Sequence, residues 1–247
     1  MSYTNYMRRF QRLPRKVRFS VYALAALIVL LATNWAYQVV RKPAELLFPV
    51  SGALNKTPAQ TWEQYRALFR EHATATITPE LLAALAQVEG AGNPAALTAW
   101  RLRATSDPRE LYRPASSAVG MYQITDGTFR EASRYCIRDN VAIEEGCWFN
   151  SLYLRVVPSH AAEMTSAYLD RRVADTLARY GITRATSAQK QDLAALIHLC
   201  GAGAGAAYAK RGFRLAPGQR CGEHDAAAYL ARVNAAKRLF ARLSALG

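Results

Sequence analysis

Glu89 closes an apolar run in which Leu81, Leu82, Leu85 and Val88 recur at helical spacing, and Gly90 follows it directly. The pattern predicts a helix that ends at Gly90 with a carboxyl group at its C-terminal end. The negative end of the helix dipole and apolar neighbours suit a group that holds a proton until a reacting oxygen takes it. General acid/base work is therefore the chemistry to test first. A lone glutamate near a helix end is also an ordinary surface residue, so the context must decide.

That context is a second cluster downstream. Asn93-Pro94 follows the glutamate, and Ser116-Ser117-Ala118-Val119-Gly120-Met121-Tyr122-Gln123 forms a small-residue turn leading into an amphipathic segment. Ser116 there reads equally as a helix N-cap. Asp126 could serve as a second carboxylate, but it reads better as the N-cap of GTFREASRYC. Asp139 and Glu144 lie between Cys136 and Cys147, and nothing in the sequence brings them to Glu89.

The elements that must position these residues are mainly helices. Thr57-Pro58 and Thr78-Pro79 each pair an N-cap residue with proline at the first helical position, ahead of TWEQYRALFREHA and ELLAALAQVE. Asp126, Ser159, Ser187 and Asp225 repeat the start signal, with Gly181 closing the helix begun at Ser159. Only Cys147–Val157 is aromatic and β-branched enough to suggest a strand, so one small β element is expected. Thr98–Ser117, with two prolines and four arginines, is expected to be a long loop.

The N-terminus places the rest of the chain. Phe19–Val40 carries no charge and is about the ~20 residues needed to cross a bilayer. Arg8, Arg9, Arg12, Arg15, Lys16 and Arg18 precede it and only Arg41 and Lys42 follow, so the positive-inside rule leaves the N-terminus in the cytoplasm. A cleaved signal peptide fits less well, because bulky Asn34, Trp35 and Tyr37 stand where a small-x-small site would be. A core helix seldom has cations crowded on one flank. The expected organisation is a cytoplasmic tail over 1–18, an inner-membrane anchor over 19–40, a Pro/Gly-containing tether over 41–56, and an extracytoplasmic domain over 57–247.

Cysteine placement agrees with export. Cys136, Cys147, Cys200 and Cys221 all follow the apolar run, as expected of disulfides in an oxidising space. Three pairings are possible; short loops favour Cys136 with Cys147 and Cys200 with Cys221. No zinc-ligand spacing joins them to His160, His198 or His224, so no metal or other cofactor is expected. The formal net charge is +14, and setting aside the six N-terminal cations leaves about +8 outside. A basic exported domain suits an anionic wall or lipid surface, and no nucleic-acid-binding motif accompanies the charge.

With these residues assembled, the chain from about Pro79 to its C-terminus resembles the catalytic domain of soluble-lytic-transglycosylase-like (SLT) enzymes, the goose-lysozyme branch of the lysozyme fold. That family shows a glutamate ending a helix, an Asn-Pro, a Gly-Leu-Met-Gln segment, a Tyr-Asn-x-Gly turn and a Tyr-Val on the last helix. Here the order is Glu89, Asn93-Pro94, Gly120-Met121-Tyr122-Gln123, Cys200-Gly201-Ala202-Gly203 and Tyr229-Leu230. The resemblance implies a mainly α, lysozyme-like domain that cleaves peptidoglycan between MurNAc and GlcNAc. Glu89 would be the acid/base, Ser116 would contact the reacting centre, Tyr229 would hydrogen-bond Glu89, Met121 and Gln123 would shape the substrate floor, and Gly120, Tyr122 and His198 would join them in binding substrate.

Two departures mark a divergent subfamily. The family's tyrosine and asparagine fall on His198 and Leu199, and His198 points away from the apolar face of Leu193, Leu196, Ile197 and Cys200, so it faces either the cleft or solvent, with solvent favoured. The stretch between Glu89 and Ser116 is also longer than the family's. The partners implied are peptidoglycan strands, the cytoplasmic membrane and an envelope-spanning machine. A goose-type lysozyme that uses water and an inactive wall-binding scaffold are the alternative functions.

Overall fold

The computed structural model describes Gln11 and Leu13–Leu246; Arg8, Arg9 and Arg12 of the N-terminal cation cluster lie outside the described residues. The chain divides into two compact units, one of residues 1–46 with Ala99–Ala115, the other of Leu47–Thr98 with Ser116–Gly247.

In the first unit a single helix, α1 (Arg15–Arg41), covers the apolar run, and it is long and apolar enough to cross a membrane. Its apolar side chains, among them Phe19, Leu24 and Ile28, are exposed. Asn34 and Gln38 behave oppositely. Both are buried, and their amides donate to Tyr112 O at 2.7 Å and Arg109 O at 2.8 Å.

Those acceptors belong to a hairpin, β1 (Trp100–Leu102) paired antiparallel with β2 (Tyr112–Pro114). The stretch 98–117 is therefore not the long loop expected of it. The Trp100 and Tyr112 rings pack 5.2 Å apart, and the Trp100 indole donates at 2.9 Å to Glu45, which is fully buried and paired with Lys42 at 2.9 Å. Glu110 bridges Arg41 and Arg113. The hairpin's strands are three residues each, too short to show alternation, and partners in α1 and just beyond it hold them.

The second unit opens with a short helix α2 (Phe48–Ser51) and a 3₁₀ turn (Gly52–Leu54), where an irregular tether was expected. The buried Asn93 side chain donates to Ser51 O at 2.6 Å, and Ser51 Oγ donates to Ala95 O at 2.7 Å, so this stretch is fastened to the domain. The main helices are α3 (Pro58–Glu71), α4 (Pro79–Gly90), α5 (Asp126–Ala132), α6 (Pro158–Arg179), α7 (Ser187–Lys210) and α8 (Ala226–Ala245).

Thr57, Thr78 and Asp225 cap α3, α4 and α8 as their sequence signals predict. Elsewhere the start moves by one residue. Thr125 rather than Asp126 caps α5, Thr186 rather than Ser187 caps α7 in a capping box with Gln189, and α6 begins at Pro158 without a side-chain cap. In α5 and α7 two cap-capable residues stand side by side, and only the first has the extended backbone that a cap needs.

Leu81, Leu82 and Leu85 of α4 are fully buried at the centre of the core, against α8 on one side and α3 on the other. Trp62 of α3 lies 5.8 Å from the ring of Phe240 in α8, closing the layer. Two further hairpins are small: β3 (Cys136–Arg138) with β4 (Val141–Ile143), and β5 (Arg220–Cys221) with β6 (His224–Asp225). Disulfides Cys136–Cys147 and Cys200–Cys221 are formed, the pairing that short loops favour. The expected strand at 147–157 is instead a 3₁₀ turn (Trp148–Leu152), and its large apolar side chains point outward.

Candidate active site

Glu89 is the penultimate residue of α4, and its side chain is 16% exposed. The helix includes Gly90, and Ala91 makes the left-handed closing turn at φ 50°. Gly90 is needed for a different reason than stopping the helix. A Cβ there would sit 2.8 Å from Met121 Cα, so glycine alone lets the Gly120–Gln123 turn lie against the end of α4.

The carboxyl group is less apolar in its surroundings than the sequence suggests. The Tyr229 hydroxyl, on the first turn of α8, donates to Glu89 Oε1 at 2.5 Å. Burial first, and then the charge of Glu89, push the ionisation of this tyrosine well above the usual value near 10, so the phenol remains a donor at working pH. His198 Nε2 stands 3.7 Å from the same oxygen, beyond a hydrogen bond but within reach of an ion pair.

The His198 side chain is 8% exposed, which corrects the expectation that it faces solvent. The polar side of α7 is covered by α8, where Asn234 donates to Asp192 and Lys237 to Gln191, each at 2.8 Å. Three residues after His198, α7 breaks at Gly201 (φ 80°, ψ 170°), a conformation that only glycine takes readily. The break falls where the resemblance places its glycine turn, and Cys200 beside it is tied to Cys221.

Gln123 turns at φ 47° and spends its amide on Gly120 O at 2.9 Å and Ala96 O at 3.2 Å, holding the turn together. Met121 and Tyr122 are fully buried, so their side chains offer no surface to a substrate, contrary to the substrate-binding expectation. Both belong to the core cluster that also holds Leu81 and Leu85. Ser116 is exposed in a bend rather than at a helix start, and its Oγ accepts the Ala118 N–H at 3.2 Å. Asp126 pairs with Arg155 at 2.7 Å.

Arg155, which no sequence signal singled out, donates to Ser117 O at 2.9 Å and Ile124 O at 2.8 Å and so brackets the turn from below. Among the described residues, no three His, Cys, Asp or Glu side chains cluster as metal ligands. The arrangement is one carboxyl group, partly screened from water, with a fixed phenol donor and an imidazole beside it: a geometry for proton delivery and return.

The family comparison bears on the domain that carries this glutamate. Residues 67–188 match the model of the transglycosylase SLT domain, and the chain carries an SLT-type lytic transglycosylase domain. The match takes in Glu89, Ser116 and the Gly120–Gln123 turn and ends before His198 and Tyr229. No curated protein matches the chain.

Proposed function

We propose that the protein is a membrane-anchored peptidoglycan lytic transglycosylase, with Glu89 as general acid and then general base. The observation that carries this reading is the hydrogen bond from Tyr229 to Glu89, with His198 next to the same carboxyl oxygen and Glu89 within the stretch that matches the SLT domain. Protonated Glu89 gives its proton to the glycosidic oxygen between MurNAc and GlcNAc as the bond to the anomeric carbon breaks. The carboxylate then takes the proton of the muramic acid's primary hydroxyl as that oxygen bonds to the same carbon. One bond is broken and one formed, the proton count closes on Glu89, and no water is consumed. Asp126, the other carboxylate the sequence offers as a second catalytic group, is held by Arg155.

By the order of the motifs His198 stands in for the family's tyrosine, and Ser116 lies four residues before Gly120, which opens the turn packed on Gly90. The helix α1 anchors the chain in the inner membrane with its N-terminus in the cytoplasm, which puts the domain and both disulfides in the extracytoplasmic space.

The test is mass spectrometry of purified sacculi incubated with the full-length protein and with Glu89→Gln. The wild type should release muropeptides ending in anhydromuramic acid, and Glu89→Gln should keep the fold, since its amide oxygen can still accept from Tyr229, while release falls by several orders of magnitude. Reducing ends from the wild type would make it a hydrolase. Near-normal release by Glu89→Gln would move the catalytic role elsewhere.

A further inference from the structure

An exposed aromatic pair stands on the segment that ends at Arg155. Trp148 and Phe149, directly after Cys147, are 68% and 56% exposed, and their ring centroids stack 3.5 Å apart. Adjacent large apolar side chains left in water mark a contact surface. Their base is rigid: Cys147 is bonded to Cys136, the buried Asn150 side chain donates to Tyr135 O at 2.6 Å, and the Tyr153 hydroxyl donates to Glu163 at 2.7 Å. The rings are presented by the fold and not by a slack loop.

The same segment runs into the candidate site. Arg155, at its end, holds the carbonyls of Ser117 and Ile124, and its own carbonyl lies so close to Gly120 that a Cβ there would be 2.3 Å away. The turn between those contacts is the one that packs on Gly90, next to Glu89.

We propose that Trp148 and Phe149 form a stacking subsite for a sugar of the glycan strand, remote from the bond being cleaved; this rests on the reading of the chain as a glycan-cleaving enzyme. A pyranose has a face made of C–H groups, and the electron-rich face of an aromatic ring attracts it as it attracts the positive edge of another ring. A polymeric substrate gains uniform binding, held equally in the ground and transition states, from such contacts away from the scission point. Continuity with the turn bordering Glu89 favours the strand over any other occupant of this surface.

The test uses the full-length protein in detergent. In the Glu89→Gln background, Trp148→Ala with Phe149→Ala should weaken binding to purified, peptide-free glycan strands about tenfold. Trp148→Phe should keep most of it. With Glu89 intact, the double substitution should raise KM and leave kcat nearly unchanged, and the thermal midpoint should not move because the rings are exposed. Unchanged binding to peptide-free strands would overturn the proposal, as would a loss seen only with peptide-bearing sacculi. A wild type that cleaves nothing, with strand binding still lost in the double variant, would sink the transglycosylase reading and uphold the subsite.

Discussion

The Tyr229 hydroxyl donates to Oε1 of Glu89 across 140 positions of sequence, and both residues come from helices packed along their length at the centre of the domain. Helix-to-helix packing, and not a loop, thus sets the position of the carboxyl group. Tyr229→Phe keeps the ring in its buried slot and removes only the donor. Losing a hydrogen bond to a charged group costs about 1.5–3 kcal/mol, so kcat should fall roughly ten- to hundredfold. KM should stay near its original value, because the substrate contacts remain. A kcat within twofold of wild type would mean the phenol is a packing residue.

Gly90→Ala places a methyl group 2.8 Å from the Met121 backbone, which cannot rotate away as a side chain would. Overpacking of this kind costs about 1–3 kcal/mol. The thermal midpoint should drop by several degrees, and cleavage should fall further than stability, because Glu89 is the neighbouring residue. Calorimetry beside a sacculus-release assay separates the two effects.

The disulfides should differ in what they protect. Removing either should cost on the order of 2–4 kcal/mol. Cys200 is two residues from His198, so Cys200→Ser with Cys221→Ser should also lower cleavage in the protein that remains folded. Cys136→Ser with Cys147→Ser loosens the Trp148 segment and should show first as weaker binding to glycan strands. Equal effects of the two pairs on kcat would contradict this.

His72 provides an acid-sensitive point. Burial lowers its proton affinity below the usual 6.5 and prevails over the opposing pull of Glu163 and Glu71, with His160 acting in the same direction as burial. A folded pKa below the unfolded one gives stability that is complete above about 6.5 and is lost as pH falls through the folded value. Thermal midpoints measured across this range should fall with acid, and His72→Phe should flatten the dependence. The same slope in both proteins would place the acid sensitivity in other groups.

Asn34 and Gln38 should hold the hairpin 99–115. With Asn34→Leu and Gln38→Leu together, the carbonyls of Tyr112 and Arg109 lose their donors. Trypsin should then cut the full-length protein after Arg103 or Arg109 markedly faster. An unchanged digestion rate would show that Glu45, Trp100 and the Glu110 ion pairs suffice on their own.

What the sequence determined by itself was local or ordered along the chain. The apolar run of α1, the caps at Thr57, Thr78 and Asp225, and the helix that carries Glu89 to its end at Gly90 follow from side-chain spacing and backbone chemistry within one or two turns. The order of family motifs singled out Glu89, Gly201 and Tyr229, because a motif records a tertiary solution already reached in relatives. Tertiary structure alone decided the rest. His198 faces the carboxyl group and not water because α8 covers the polar side of α7, which helical periodicity on α7 cannot reveal. Met121 and Tyr122 went to the core because the turn carrying them packs on Gly90, a contact 31 positions away along the chain. The stretch 99–115 became a hairpin because Asn34, Gln38 and Glu45 supply partners from a distant segment, and such pairings leave no periodic trace in either segment alone.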